Sequence, residues 1–506
     1  MPLPLDRGPI SLKRLYFRGV VAGALLLLSS LALAAERTDE EKTSYRKAME
    51  IADQKIADEV KAHSELMKNL EYLTTQIGPR LTGSPQMQKA SEWTLQRFRD
   101  YRIASHLETT EIPQGWTRGG DTAEIVAPIS RSIEIRSLGW SKSTAGAVTA
   151  PVLLVKAKKV SDLGPYKGKI RGAVVLREPV ELPSPNEVPE NAYDAVITPV
   201  RGVQSAPEAA WGERRRLLKA IAAEGPAAIL ADSGKTDSLF SMTSLTRYQP
   251  SDAPLAFVTH EDYSLIYRLA QTAPVMMKVS LNGSFSAGPV PASITVAEIQ
   301  GSQFPGERVI IGAHLDSWDL GQGALDNGTG AMAVLEAARA LKALGWQPRR
   351  TLTFVLFTGE EQGSLGADLF LSKHAAEIPQ MDAVLIHDTG SGKVFSIALE
   401  GLYETAPLLS EIYTPMKEVF DLEPLSTRYF GASDHVPFLN KGVPAYFCIQ
   451  KVAKYGEAHH SQTDTFDKVI PDEINQGAAL LAAWAWNVSE MPQSLPHHAT
   501  TAEFED

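Results

Sequence analysis

Short, bulky apolar runs recur after residue 290, and a stretch of helical spacing separates most of them. Strands are expected at 308–312, 351–358, 383–386 and 445–449, and helices at 330–344, 408–419 and 472–488. Runs that are apolar on both faces belong to strands buried on both sides. Alternation of such strands with helices specifies an α/β fold, with a mixed, mostly parallel sheet flanked by helices. That constrains function as well, because open sheets of this kind bind ligands outside the carboxyl ends of their strands.

The residues ahead of that region read differently. Helical spacing runs through 36–78 until Gly78-Pro79-Arg80 stops it, and a second amphipathic helix is expected at 88–101. From 119 to 287 the pattern is short strands (147–155, 173–176, 227–231 and 255–259) among frequent prolines, with one helix at 207–223. This shift in composition marks a separate β-rich module inserted into the α/β part. The expected organisation is therefore 35–118 with 288–491 as one domain and 119–287 as the insert. The polar, aperiodic segment 492–506 is expected to be a disordered tail.

At the N-terminus, Lys13, Arg14 and Arg18 precede a short apolar core, and Ala32-Leu33-Ala34 offers a small-x-small cleavage site. This is the pattern of a secretory signal over 1–34, so the mature chain is expected to be secreted or periplasmic. The apolar run is short for a bilayer span, so no stable membrane insertion is expected after cleavage. A net charge of −11 without a basic block argues against nucleic acid as a partner. With 44% hydrophobic residues the chain is not a disordered one. Its single cysteine, Cys448, excludes an intramolecular disulfide and a cysteine-rich metal site.

Chemistry-bearing residues gather where the strands end. His314 and Asp316 follow the first run, and Asp326 lies in a glycine-rich loop before a helix. Glu360 and Glu361 follow the second run, Asp388 the third, and His459 and His460 lie in a loop before Asp464. Carboxylates and imidazoles without thiolates suit zinc, or manganese or cobalt. Two histidines and three carboxylates exceed what one catalytic zinc takes. They suit two metals about 3.5–4 Å apart that share a carboxylate. Metals so placed lower the pKa of a bound water from near 16 to about 7 and provide hydroxide, and a free carboxylate beside them can carry the proton. One glutamate of the pair could be a ligand and the other a base, while Asp316 could orient the His314 ring. No Gly-x-Ser-x-Gly elbow, Walker-type loop or His-Glu-x-x-His helix is present in the sequence.

Several segments resemble the co-catalytic di-zinc aminopeptidase family, and in particular its plasma glutamate carboxypeptidase subgroup. They are Gly312-Ala-His-Leu-Asp-Ser-Trp-Asp, Thr358-Gly-Glu-Glu-Gln-Gly-Ser, His459-His-Ser-Gln-Thr-Asp, Ser433-Asp-His and Gly78-Pro-Arg-Leu-Thr-Gly-Ser. The likeness runs from about residue 65 to 490. The resemblance implies that 35–118 with 288–491 is a zinc-peptidase domain. By position it makes His314 and Asp388 ligands of one zinc, Glu361 and His460 ligands of the other, and Asp326 the bridge. Glu360 matches the general base and Asp316 the carboxylate that orients His314. It also implies a cis peptide after Asp326. Tyr166-Lys-Gly-Lys-Ile-Arg-Gly-Ala-Val-Val-Leu resembles the protease-associated domain, which is expected over 119–287. His387 and the segment between Phe420 and Ser433 depart from the family pattern.

The activity so implied is that of an exported metallo-exopeptidase acting on the N-terminal peptide bond of dipeptides or short peptides, in a subgroup that is often homodimeric. Two other functions are compatible with the fold. A glutaminyl-cyclase-like transferase would hold one zinc, and a binding ectodomain would have lost ligands. The complete five-ligand set argues against both.

Overall fold

The computed structural model describes residues 39–180 and 215–498. The signal segment at 1–34, the first part of the helix expected at 207–223 and residues 499–506 of the tail lie outside the described residues. Among the described residues no helix is long and apolar enough to cross a membrane.

Seven strands build the main sheet: β1 (Ala104–Ile112), β2 (Val290–Ile299), β3 (Phe304–His314), β4 (Arg350–Phe357), β5 (Met381–Ile386), β6 (Val394–Ala398) and β7 (Ala445–Gln450). Their order is β1-β2-β4-β3-β5-β7-β6. The four inner strands β4, β3, β5 and β7 run parallel, and the outer pairings are antiparallel. Every residue of β4, β5 and β7 is buried, which is why these strands read as unbroken apolar runs. The outer strands β1, β2 and β6 carry no such signal. β1 is rich in Thr, Ser and Glu and alternates between exposed and covered positions.

Helices flank this sheet, and their ends follow local chemistry. The helix Pro85–Asp100 starts on Ser84, whose hydroxyl accepts a hydrogen bond from the Met87 N–H at 3.1 Å, with Pro85 in the first turn. The helix Thr329–Leu344 stops at Gly345, which takes φ +68. It packs against the long C-terminal helix Pro471–Ser489, which also lies on β3.

Residues 122–280 form a second sheet of eight strands. Its centre is parallel: Val148–Leu154, Val174–Leu176, Ala228–Asp232 and Leu255–Val258 lie side by side. The helix His260–Thr272 and the helical residues 215–223 accompany them. A two-stranded stem, Trp116–Arg118 paired with Gly283–Phe285, joins this region to the main sheet's chain. One apolar cluster spans both parts. It holds Leu81, Ile112 and Trp318 together with Trp140, Phe240 and Tyr248.

Two details differ from the sequence expectations. Residues 492–498 are held in place where a disordered tail was expected. Leu495 is buried, its N–H donates to Asp382 Oδ1 at 2.7 Å, and the His497 ring meets the Met381 carbonyl at 3.0 Å. Long-range bonds of this kind, with the His498 N–H donating to the Gly442 carbonyl at 3.1 Å, anchor a segment that has no periodicity. Ile51, an apolar position in the helical spacing read over 36–78, is half exposed.

The helix Asp39–His63 also carries a buried carboxyl. Asp53 accepts a hydrogen bond from Asn487 Nδ2 at 2.9 Å, and its other oxygen has no hydrogen-bond partner among the described residues. Burial pushes its pKa up to about 8. The folded protein thus keeps a proton that the unfolded chain releases near pH 4. The associated stability is complete below pH 4 and is lost as pH rises towards 8. Asp53→Asn is expected to flatten the fall in melting temperature between pH 5 and pH 8; an unchanged slope in that variant would show that the carboxyl is already ionised in the fold.

Candidate metal centre

Parallel packing brings the carboxyl ends of β3, β4, β5 and β7 to one edge of the sheet. His314 is the last residue of β3, Glu360 and Glu361 follow β4 within four residues, and Asp388 lies two residues beyond β5. His460 arrives from the loop after β7, just past the short helix Tyr455–Ala458. Asp326 comes from the glycine-rich loop between β3 and the helix Thr329–Leu344.

Two sets of donors form around Asp326. His314 Nε2 lies 3.0 Å from Asp388 Oδ1 and 3.5 Å from Asp326 Oδ1. On the other side, His460 Nε2 lies 2.8 Å from Glu361 Oε2 and 3.5 Å from Asp326 Oδ2. The two oxygens of one carboxylate therefore face two different imidazoles. The Asp326–Asn327 peptide is cis. His459 stacks on His460 with ring centroids 3.7 Å apart, and its Nε2 is 4.0 Å from Asp326 Oδ2.

Asp316 is fully buried beside His314, but its carboxylate is not the ring's nearest partner. His314 Nδ1 lies 3.0 Å from the Asp316 backbone oxygen and 3.6 Å from Oδ1. The carboxylate accepts instead from Thr82 Oγ1 at 3.1 Å and from the Glu360 N–H at 3.3 Å. It thereby ties the glutamate loop to the first histidine.

The loop that carries Asp326 is shaped by residues whose roles only the fold reveals. Asp464 accepts hydrogen bonds from the N–H groups of Leu325 at 2.6 Å and Asp326 at 3.2 Å. Tyr455 donates its hydroxyl to Asp326 Oδ1 at 3.2 Å. Arg80 is fully buried and donates to the carbonyls of Leu315 (2.6 Å), Gly78 (3.1 Å), Gln322 (3.0 Å) and Gly323 (2.7 Å). Gly323 has φ +62, and a Cβ there would stand 2.3 Å from Ser317 Oγ and 2.8 Å from Arg80 Nη2. Neither Arg80 nor Asp464 has a supporting role legible in the sequence, because bonds across 235–243 positions for Arg80 and 138–139 for Asp464 leave no local pattern. Asp434 is fully buried, and neither of its carboxylate oxygens has a hydrogen-bond partner among the described residues. Burial, with Glu360 next in weight, raises its pKa well above the carboxylate range.

The electrostatics are those of crowded, desolvated carboxylates. Burial, with Asp388, Asp316 and Asp326 adding to it, pushes Glu360 up to about 8 against the opposing pull of His314. Glu361 is raised well above its usual value, mainly by burial and then by Asp326. Burial works to lower His314, but Asp388 and the other carboxylates more than offset it, so its pKa stands well above normal. Burial and the neighbouring His459 hold His460 well below, which leaves it neutral and able to ligate. His387, the departure beside Asp388, is fully buried and lowered to about 4 by burial, so it is a neutral filler.

These residues fit metal ions. His314, Asp326 and Asp388 offer three ligand atoms within 4.8 Å of one another, and Asp326, His459 and His460 offer three more. Asp326 Oδ2 and Glu361 Oε1 are buried without a hydrogen-bond partner among the described residues. Buried anionic oxygens of this kind call for a cation.

The chain can now be compared with known proteins. A family model described as Peptidase family M28 matches residues 295–485. The chain is 32% identical over 439 residues to carboxypeptidase Q of Mus musculus, which covers 85% of this chain and 86% of that one. It is 30% identical over 444 residues to carboxypeptidase Q of Homo sapiens, covering 86% and 88%. Among solved structures, a peptidase M28 precursor from Shewanella amazonensis shares the fold, with a TM-score of 0.74 at 24% identity over 90% of this chain and 100% of that one. A zinc aminopeptidase from Bacillus subtilis aligns with a TM-score of 0.60 at 19% identity, covering 83% and 93%.

The buried guanidinium provides a test of how the loop is held. Lysine has three donors on a point charge and cannot reproduce a planar fork that serves four carbonyls. Arg80→Lys is expected to lower the unfolding free energy by about 2–3 kcal/mol in urea denaturation. A variant as stable as the parent would mean that the loop's carbonyls do not depend on Arg80.

Proposed function

The chain belongs to peptidase family M28, and on that premise we propose that it is an exported, zinc-dependent exopeptidase that uses two metal ions to cleave the N-terminal peptide bond of dipeptides or short peptides. One observation carries this reading: the two oxygens of Asp326 face His314 on one side and His460 on the other. In this reading His314 and Asp388 would hold the first ion, Glu361 and His460 would hold the second, and Asp326 would serve both. Manganese or cobalt would suit the same donors.

Bound zinc supplies a Lewis acid for the scissile carbonyl and lowers the pKa of water at the site. The protein's own groups do the rest. Glu360 takes the proton of the attacking water and returns it to the departing amine. Asp316 holds the Glu360 backbone through its N–H and flanks His314, so base and ligand keep their spacing. The surplus of buried carboxylate suits a substrate that brings a free α-ammonium, which is the basis for exopeptidase action. In this account 35–118 with 288–491 is the peptidase domain. The insert over 119–287 is a protease-associated module, and Tyr248 brings it against the glutamate loop with its hydroxyl 3.4 Å from the Gly359 carbonyl. Export rests on the signal-like pattern of Lys13, Arg14 and Arg18 ahead of Ala32-Leu33-Ala34.

Glu360→Gln is expected to keep the metal content of the parent and to lose about 10²- to 10⁴-fold in kcat on free dipeptides. The parent is expected to leave N-acetylated dipeptides intact and to stop after chelation. Near-normal turnover by the variant would remove Glu360 from the mechanism. Equal cleavage of acetylated substrates would contradict recognition of the amino terminus.

A further inference from the structure

In the loop that carries His460, the carbonyls of Gly456, His459 and His460 accept no hydrogen bond from the loop itself among the described residues. Its helix, Tyr455–Ala458, is four residues long and ends at His459, which leaves the helical conformation. His460 itself sits at φ +57, a left-handed conformation that side chains other than glycine rarely adopt. A conformation of that kind persists only where its surroundings over-determine it. Within the loop, Ser461 donates its N–H to the Ala458 carbonyl at 2.8 Å and its hydroxyl to the Glu457 carbonyl at 2.7 Å.

Further bonds come from the insert. The Lys235 ammonium reaches the carbonyls of Gly456 at 3.3 Å, Glu457 at 3.4 Å and, most closely, His459. Seven residues later the Met242 N–H donates to the His460 carbonyl at 2.7 Å. Between them the Gln462 side chain accepts from the Phe240 N–H at 3.0 Å and donates to the Ser238 carbonyl at 3.0 Å. One insert segment therefore grips the carbonyls of His459 and His460 in succession. Its far end is fixed in turn, because Phe240, Met242 and Tyr248 belong to the apolar cluster shared with Trp318. Trp318 lies edge-on to the His460 ring at 6.0 Å.

We propose that Lys235 is a positioning residue for the second metal half-site. Its ammonium gathers the open carbonyls at the end of the Tyr455–Ala458 helix and so fixes the His460 imidazole against Glu361 and Asp326. The inference rests on the reading of His460 as a metal ligand. Three ammonium donors match three carbonyls, and a cation suits the negative end of a helix. The insert then bonds directly to the backbone of the half-site loop, taking carbonyls that the loop itself leaves without a partner. Loss of Lys235 should act on one ion and not on both.

The test is zinc affinity, measured by competition with a chelating dye on the full-length mature protein, for the parent, Lys235→Met and Lys235→Arg. The parent is expected to bind two ions. In Lys235→Met one of the two affinities should fall about 10- to 100-fold, with the other unchanged. Lys235→Arg should recover most of the loss. Melting temperatures in excess chelator should agree among the three proteins, and saturating zinc should restore kcat in Lys235→Met with KM unaltered. Unchanged affinities in Lys235→Met would overturn the proposal. So would an equal loss at both sites with a lower melting temperature in chelator, which would mark Lys235 as a general brace of the fold. A parent that binds a single zinc would instead overturn the two-metal reading on which the proposal stands.

Discussion

Like charges buried together repel, and this protein gathers Asp316, Asp326, Glu360, Glu361 and Asp388 around one crevice. Water, which would screen them, is largely excluded: Asp316 is fully buried, and Asp326 and Asp388 nearly so. Such a cluster is tolerable only where cations and oriented donors offset it. The protein supplies several. Burial lowers the Arg80 guanidinium to about 10 despite the nearby carboxylates Asp464, Asp316, Asp326 and Glu361, and it still carries its charge at neutral pH. Lys235 approaches from the insert, and N–H groups of Leu325, Asp326 and Glu360 point at carboxylates. In the proposed reading, divalent cations at the centre of the cluster would supply the rest.

That architecture divides the work. The parallel strands β3, β4 and β5 deliver His314, the glutamate pair and Asp388 from backbone that is buried throughout β4 and β5 and over the last six residues of β3. The loops deliver Asp326 and His460, and loops need outside help. Asp464, Tyr455 and Arg80 hold the first; the insert holds the second. A shared apolar cluster that runs from Leu81 through Trp318 to Trp140 and Phe240 makes these supports part of one core. Site geometry and insert docking are therefore coupled through packing as well as through hydrogen bonds.

The readable parts of this design were those with a local signature. Strands buried on both faces announce themselves as apolar runs, so β4, β5 and β7 were visible in the sequence, as were the helices at 330–344, 408–419 and 472–488, whereas the short helices Leu365–Lys373 and His435–Asn440 were not. β1 was not, since an edge strand rich in Thr and Glu has no such run. The parallel centre of the insert was hidden for a related reason, because three- to seven-residue strands carry too little pattern to reveal direction. At the site, the residues at strand ends were legible as chemistry. Their supports were not: Arg80, Asp464 and Lys235 act through contacts that join distant parts of the chain. Asp316 shows the limit of motif reasoning. Its proximity to His314 could be read, but its closest bond to the ring runs through the backbone oxygen, a matter of local geometry.

The central claim is that Asp326 is shared between two ions. The direct measurement is a zinc-loaded crystal structure with anomalous scattering recorded on both sides of the zinc edge. Two peaks about 3.5–4 Å apart are expected. One would lie among His314, Asp388 and Asp326, and the other among His460, Glu361 and Asp326. A single peak, or a second peak away from Asp326, would contradict it.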